Sequence, residues 1–332
     1  MRIINLSDLD PDWCWLRDEF RLTDQEWLHY SSLSLQLPKI LPKKDSIARA
    51  IAALRAVIKA KSGKSMLVSH GPRPAYYGAS FAKTFCPDLP HLVYSFNFTN
   101  LPQGAQHILM AKAYQQPMRF VTYSTVERSL YADYFDIPIE KIDMLHWAVH
   151  APKIDLTEKP IETGSYVCAL GSQGRDYKTL FEAMKKLPHI RLVVVASQIS
   201  IQHLSIPSNV TVYSNIPLSQ AHNILAHSQF MALPLRDAQV PCGHVTIVSG
   251  MFFRKAIVVT NSIGVHDYIK DGITGLFCAP LDVNDFAHKI ESLWENANQL
   301  DELSEAGQAF AYANCTEKKA IDYFADFIKP FS

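Results

Sequence analysis

The stretch PCGHVTIVSGMFFRKAIVVT, Pro241–Thr260, decides how this chain is read. It opens small and polar, with Gly243, His244 and Thr246. Val248, Met251, Phe252 and Phe253 then recur at helical spacing. Two cations follow, Arg254 and Lys255. AIVVT follows, a β-branched run of the kind that fills a buried strand. A helix that feeds straight into a buried strand belongs to a βαβ unit of a parallel sheet. Gly243, just before the first turn, lets the backbone approach a ligand oxygen closely. The N–H groups of that turn have no helical partner and the dipole adds positive charge, so the position favours an anion. His244, Val245 and Thr246 would supply those N–H groups, and the Thr246 hydroxyl is a further donor. A plain N-cap ahead of a core helix would leave the same pattern.

The same alternation extends outward from this stretch. YVCALG (166–171), IRLVVVAS (190–197), NVTVYS (209–214), FMALPL (230–235), AIVVT (256–260) and GLFCA (275–279) read as strands. Helical periods cover about 174–186, 218–227, 244–254, 282–297, 299–313 and 318–328. In the first half the strands are RIINLS (2–7), SMLVSH (65–70), HLVYSF (91–96), RFVTYS (119–124) and KIDMLH (141–146), with helical stretches at 46–61, 75–84, 103–115 and 125–135. The rhythm breaks at HAPKIDLTEKPIETGS (150–165), where prolines and mixed charge read as a linker. The expected fold class is α/β, with two doubly wound Rossmann-like domains facing across a cleft that serves as the natural ligand site.

The totals fit that reading. A chain of 332 residues, 48% apolar, has the material for two cores. Its Lys and Arg number 32 and its Asp and Glu 32. Zero net charge argues against a nucleic-acid binder. Charge is uneven locally. Over 43–64, Lys43, Lys44, Arg49, Arg55, Lys59, Lys61 and Lys64 meet one acid, Asp45. This segment is either a solvated helix face or a surface for anionic lipid heads, a peripheral membrane contact, or for an anionic acceptor. Cys14, Cys86, Cys168, Cys242, Cys278 and Cys315 form no C-x-x-C pair, so zinc and dithiol chemistry are not expected. The first residues lack a signal-peptide core, and no apolar run reaches the roughly 20 residues that span a bilayer. A cytoplasmic protein is the expectation.

A second loop points the same way as the first. In ALGSQGRDYKTLFEA (169–183) a strand ends at Gly171 and Arg175 stands at a helix start. Arg175 is suited to pair bidentately with a diphosphate, or it is a surface arginine balanced by Asp176. Only G-x-x-G is present, so this is no dinucleotide fingerprint, and no Walker lysine motif occurs. His70 ends a strand, as a structural histidine or as a group facing a ligand. No zinc-hydrolase helix and no G-x-S-x-G elbow is found. Trp13, Trp15, Trp27 and Tyr30 are core residues, or an aromatic platform for an acceptor.

Taken together, LGSQGRDYKTLFEA, NIPLSQAHNILAHSQFMALPL and GHVTIVSGMFFRKAIVVTNSIGVHDYIKDGITGLFCAPLD resemble the C-terminal domain of GT-B-fold glycosyltransferases of family 4. SFNFTNLP (95–102) and VTYSTVERSLYADYFDIPIEKIDML (121–145) are similar, more weakly, to parts of the N-terminal domain. The resemblance implies an acceptor-side domain over 1–155, a nucleotide-sugar domain over 164–315, and a helix over 316–332 crossing back to the first domain. It implies transfer of a hexose from a nucleotide diphosphate sugar, with UDP the expected nucleotide, to a glycan or lipid-linked acceptor, with retention and without a metal or other cofactor. Arg175 matches the basic residue on the diphosphate, and Gly243 to Thr246 match the capping amides. Asn97 matches a histidine facing the donor sugar, with His70 beside it as a second catalytic candidate. Many members carry two glutamates eight residues apart, one on the sugar and one on the ribose. Here Pro241 and Ser249 fall at those places, and Ser249 offers the ribose a weaker hydrogen bond. A second arginine is missing near Ser172, and Arg236 is the candidate replacement. Near the N-terminus only Ser7 and Asp8 are placed to face the acceptor. These losses motivate the alternative, a catalytically silent GT-B protein that binds nucleotide or a partner subunit.

Overall fold

A computed structural model of the chain describes residues 1–13, 15–20, 25–38, 40–152, 157–236 and 239–331. Cys14 and residues 153–156 of the expected linker lie outside the described residues. The chain forms two units. The first comprises Met1–Leu145 and the segment from Ala320 onward, the second His146–Lys319.

The first unit runs β1 (Arg2–Ser7), β2 (Glu26–Ser31), α1 (Lys44–Ala60), β3 (Ser65–His70), α2 (Pro72–Phe85), β4 (His91–Tyr94), α3 (Gly104–Tyr114), β5 (Arg119–Thr122), α4 (Thr125–Phe135) and β6 (Ile142–Met144). Its six strands lie in the order β2-β1-β3-β4-β5-β6, all parallel. Every residue of β3 and β4 is buried, because helices cover both faces of a parallel sheet. Ala48, Ala52, Ala53, Ala56 and Ala60 make the inner face of α1 and bring it close to the sheet, while Lys44 and Arg55 remain outside. The sequence reading has five strands here and misses β2. EWLHYS pairs in parallel with β1 at the sheet edge, residue for residue from Arg2↔Glu26 to Ser7↔Ser31.

The second unit runs β7 (Val167–Leu170), α5 (Tyr177–Lys185), β8 (Leu192–Val195), α6 (Gln198–Ile201), β9 (Val210–Tyr213), α7 (Leu218–His227), β10 (Met231–Leu233), α8 (His244–Phe252), β11 (Ile257–Thr260), β12 (Leu276–Cys278), α9 (Val283–Glu295) and α10 (Ala297–Asn314). Its six parallel strands lie in the order β12-β11-β10-β7-β8-β9. Phe181, Met184, Phe286 and Ile290 belong to the core that α5 and α9 share with the sheet. Leu225, Val248, Met251, Phe252 and Ala311 belong to a second core, with α7, α8 and α10. The last helix, α11 (Glu317–Ile328), carries Phe324 into the first unit, where its ring meets Trp15, Phe20 and Trp27 at centroid distances of 5.0, 5.5 and 5.6 Å. Of the aromatic residues singled out in the sequence, Trp15 and Trp27 thus pack in this cluster while staying half-buried.

Strand order reverses once in each sheet, between β1 and β3 and between β7 and β10. In open α/β sheets the crevice beyond the carboxyl ends at such a reversal is the ligand site. No described helix is long and apolar enough to cross a membrane.

Candidate functional site

In the second unit the reversal brings together the two loops that sequence reading singled out. After β7 the backbone turns at Gly171 with φ 100°, and Arg175 forms an isolated antiparallel bridge to Leu235, just beyond β10. The Asp176 N–H donates to the Pro234 carbonyl at 3.0 Å and the Arg236 N–H to the Gly174 carbonyl at 2.9 Å, so the loops are zipped by main chain. Arg175 is only 6% exposed. Its Nε donates to the Leu170 carbonyl at 3.1 Å, Nη1 to the Gln173 carbonyl at 2.8 Å and Nη2 to Thr246 Oγ1 at 2.7 Å. Among the described residues no carboxylate pairs with it. Burial lowers its pKa from the usual arginine value, though a guanidinium stays charged in proteins.

The partner hydroxyl lies on the first turn of α8. Gly243 precedes that turn at φ 97° with no side-chain cap. A Cβ at Gly243 would stand 3.1 Å from a Leu235 methyl, so the left-handed turn and the close packing both select glycine. Ile247 makes the first helical bond, to the Gly243 carbonyl. Among the described residues nothing accepts from the N–H groups of His244, Val245 and Thr246, and the first turn holds no acid. A buried cation and these open amides thus meet at one helix start. That is the arrangement for an anion with several oxygens.

Beside this start lies a cavity of about 350 Å³, bounded by the ends of β7, β8 and β9 and walled by α7 and α8. Val245, Thr246 and Ser249 of α8 face it, opposite Gly171, Ser172, Ser197, Asn215, Leu218 and His222. The Ser249 hydroxyl donates back to the Val245 carbonyl at 2.8 Å. Ser172 Oγ accepts from the Ser197 N–H at 2.7 Å. Burial lowers the His222 pKa, and the ring rests on Phe253.

The first unit has its own cavity at its own reversal, about 730 Å³, lined by Asp8 after β1, His70 at the end of β3, Arg73 and Pro74 of α2, and Asn97, Thr99, Asn100, Gln103 and Gln106. Asn97 faces outward because its neighbours do not. Ser95 takes φ 58°, after which Phe96 and Phe98 turn into a cluster with Tyr131 and Phe135. His70 is held from three sides. Its Nε2 lies 3.1 Å from Asn5 Oδ1, and Trp13 and Trp15 meet the ring edge-on at 4.6 and 4.7 Å. Burial pushes its pKa down to about 3, so the ring is neutral near pH 7. The Asp8 carboxylate is engaged by Ser32 Oγ and Arg49 Nε, each at 2.6 Å, and Ser7 by His29 at 2.8 Å.

The structure therefore gathers Arg175, Arg236, Gly243, His244, Val245, Thr246 and Ser249 around one reversal, and His70 and Asn97 around the other. Within the first group the roles differ. Arg236 is exposed and its Nε donates to the Arg175 carbonyl at 3.0 Å. His244 offers only its main chain, since its ring stacks on Tyr268 at 4.8 Å and bonds the Gly264 carbonyl. Pro241 is buried. Sequence reading passed over Asn215 and did not place His222 at a site. Both lie in the quoted stretch NIPLSQAHNILAHSQFMALPL, but nothing in its pattern marks them, and only the edge position of β9 and the start of α7 bring them to the cavity.

Two doubly wound parallel units of this kind make the GT-B architecture, and solved structures share it over nearly the whole chain. Sucrose-phosphate synthase from Thermosynechococcus elongatus aligns with TM-score 0.76 and 12% identity, covering 99% of each chain. Anabaena HepE in complex with UDP aligns with TM-score 0.73 and 13% identity, covering 99% of this chain and 100% of that one. A glycosyltransferase from Rickettsia africae ESF-5 aligns with TM-score 0.70 and 15% identity, covering 99% of this chain and 98% of that one. Residues 165–310, most of the second unit, match the family described as glycosyl transferases group 1. Comparison with curated proteins gives no match.

Proposed function

We propose that this chain is a glycosyltransferase that moves a hexose from a UDP-sugar to a hydroxyl of a glycan or lipid-linked acceptor, with retention of configuration. The observation that carries the reading is Arg175. A buried guanidinium without a carboxylate partner is costly, and an anionic ligand relieves that cost. Here it is bonded to the first turn of a helix whose amides are open. A nucleoside diphosphate satisfies both, with its base in the adjoining cavity. HepE has been crystallised with UDP and with UDP-glucose, which supports uridine as the base.

In this reading the diphosphate is the leaving group. Arg175 and the α8 amides stabilise the charge that develops on it as the sugar departs. The departing phosphate oxygen takes the proton of the attacking hydroxyl, so neither a side-chain nucleophile nor a metal is needed. Asn97 and neutral His70 act by hydrogen bonding and position, and the amide-rich cavity of the first unit suits a hydroxylated acceptor. Lys43, Lys44 and Arg55 are exposed beside Ile40, Ile47 and Ile58, a mixed cationic and apolar face that suits an anionic membrane surface.

A second reading, a nucleotide-binding protein without transfer, is favoured by one observation: among the described residues no acid lines the cavity in the second unit. Labelled sugar nucleotides offered to the pure protein, with membrane extract as acceptor source, separate the two. Slow donor hydrolysis or label entering the lipid or glycan fraction supports transfer. Tight nucleotide binding with no turnover of any donor supports the silent reading. Arg175→Ala is expected to weaken nucleotide binding by about 1.5–3 kcal/mol, the worth of a charged hydrogen bond. An unchanged dissociation constant would remove the diphosphate from this site.

A further inference from the structure

The cavity beside α8 is mostly apolar, and the polar side chains it carries are uncharged. Its polar side chains are Ser172, Ser197, Asn215, His222, Thr246 and Ser249. Most are already committed. Ser172 accepts from the Ser197 N–H at 2.7 Å, and the Ser197 hydroxyl shares a 2.9 Å bond with Ser200. Thr246 accepts from Arg175 at 2.7 Å, and the Ser249 proton goes to the Val245 carbonyl at 2.8 Å.

A ribose presents two neighbouring hydroxyls, both hydrogen-bond donors. Firm recognition of that pair takes a charged acceptor, whose hydrogen bonds are roughly twice as strong as neutral ones. No carboxylate lines this cavity among the described residues. Against the described lining residues, the 2′-hydroxyl meets only neutral groups. The penalty for losing a ligand hydroxyl becomes large when buried protein groups are left unpaired. Here Ser249 keeps its bond to Val245 with or without that hydroxyl.

We infer that the second unit recognises its nucleotide through the diphosphate and the base and is indifferent to the 2′-hydroxyl, so that 2′-deoxyribonucleoside diphosphate sugars serve as donors alongside the ribonucleoside ones. The inference rests on the nucleotide reading above and narrows it to a substrate class.

Calorimetric titration of the full chain with UDP and with 2′-deoxy-UDP tests it. The two dissociation constants are expected to lie within about tenfold, the ceiling for one neutral hydrogen bond. Deoxy-UDP binding weaker by more than tenfold overturns the inference and leaves the nucleotide site standing. Failure of both to bind at millimolar concentration removes the nucleotide site itself, and the inference with it.

Discussion

At Gly171 the Arg175 guanidinium occupies the space a side chain would fill. A Cβ there would stand 2.6 Å from Nη2 and 3.1 Å from Cζ, on a backbone at φ 100°. Gly171→Ala therefore acts twice. The left-handed turn costs at least about 1–2 kcal/mol, read as a lower melting temperature. The displaced guanidinium also loses Thr246, and UDP affinity is expected to fall about tenfold or more, the size of one charged hydrogen bond. A variant that melts lower yet binds UDP as before would separate Gly171 from the anion seat. His244 and Thr246 show how two residues of one turn divide their tasks. Thr246 turns its hydroxyl to Arg175 beside the cavity, whereas His244 spends its ring on Tyr268 and Gly264 and leaves only its amide open.

At the scale of elements, helix starts decide the outcome. The start of α4 is closed by its own residues. Ser124 Oγ accepts from the Glu127 N–H at 3.1 Å, and Glu127 Oε2 accepts from the Tyr123 N–H at 3.0 Å. Ser124→Ala is expected to cost about 1 kcal/mol, rising toward 2 because the cap is buried, measured by denaturant unfolding. The start of α8 has no such closure, and this difference was legible before any coordinates. TYSTVE (122–127) carries a hydroxyl at Ser124 and, three residues on, a glutamate, while PCGHVT carries a glycine and no acid. The loops at Arg175 and Gly243 were legible for the same reason, since glycine and cation stand out in an apolar strand-and-helix rhythm. The edge strand β2 was not. Its residues are mostly half-buried, so EWLHYS shows neither an apolar run nor clean alternation, and its aromatic residues read as a cluster. Asn215 was equally hidden, being an exposed residue with φ 58° whose relevance depends on which strand lies next to which.

For the molecule as a whole, buried titratable groups set the response to acid. His70 is pushed to about 3, and His91 and His244 to about 4, each by burial. The folded state keeps them neutral while the unfolded chain takes a proton near pH 6.5. Their contribution is therefore intact above that pH and lost as pH falls toward the folded values. Glu127 works the other way. Burial raises it to about 7, so its contribution grows as pH falls from 7 toward 4.5. Between pH 7.5 and 5.5, the second unit is expected to lose on the order of 1 kcal/mol through His244. The first loses roughly 3 through His70 and His91 and recovers roughly 2 through Glu127. Denaturant unfolding at the two pH values should show each unit less stable at the lower one by roughly 1 kcal/mol, and curves that coincide would exclude neutral buried histidines.

The first unit is built from both ends of the chain, Met1–Leu145 and the segment from Ala320. Phe324 supplies a ring that Trp15, Phe20 and Trp27 otherwise lack. Those tryptophans come early in the chain, and Phe324 follows only after the whole of the second unit has been translated. The half of the protein made first is thus the half finished last, and a nascent chain halted before Ala320 would present an aromatic surface suited to a chaperone.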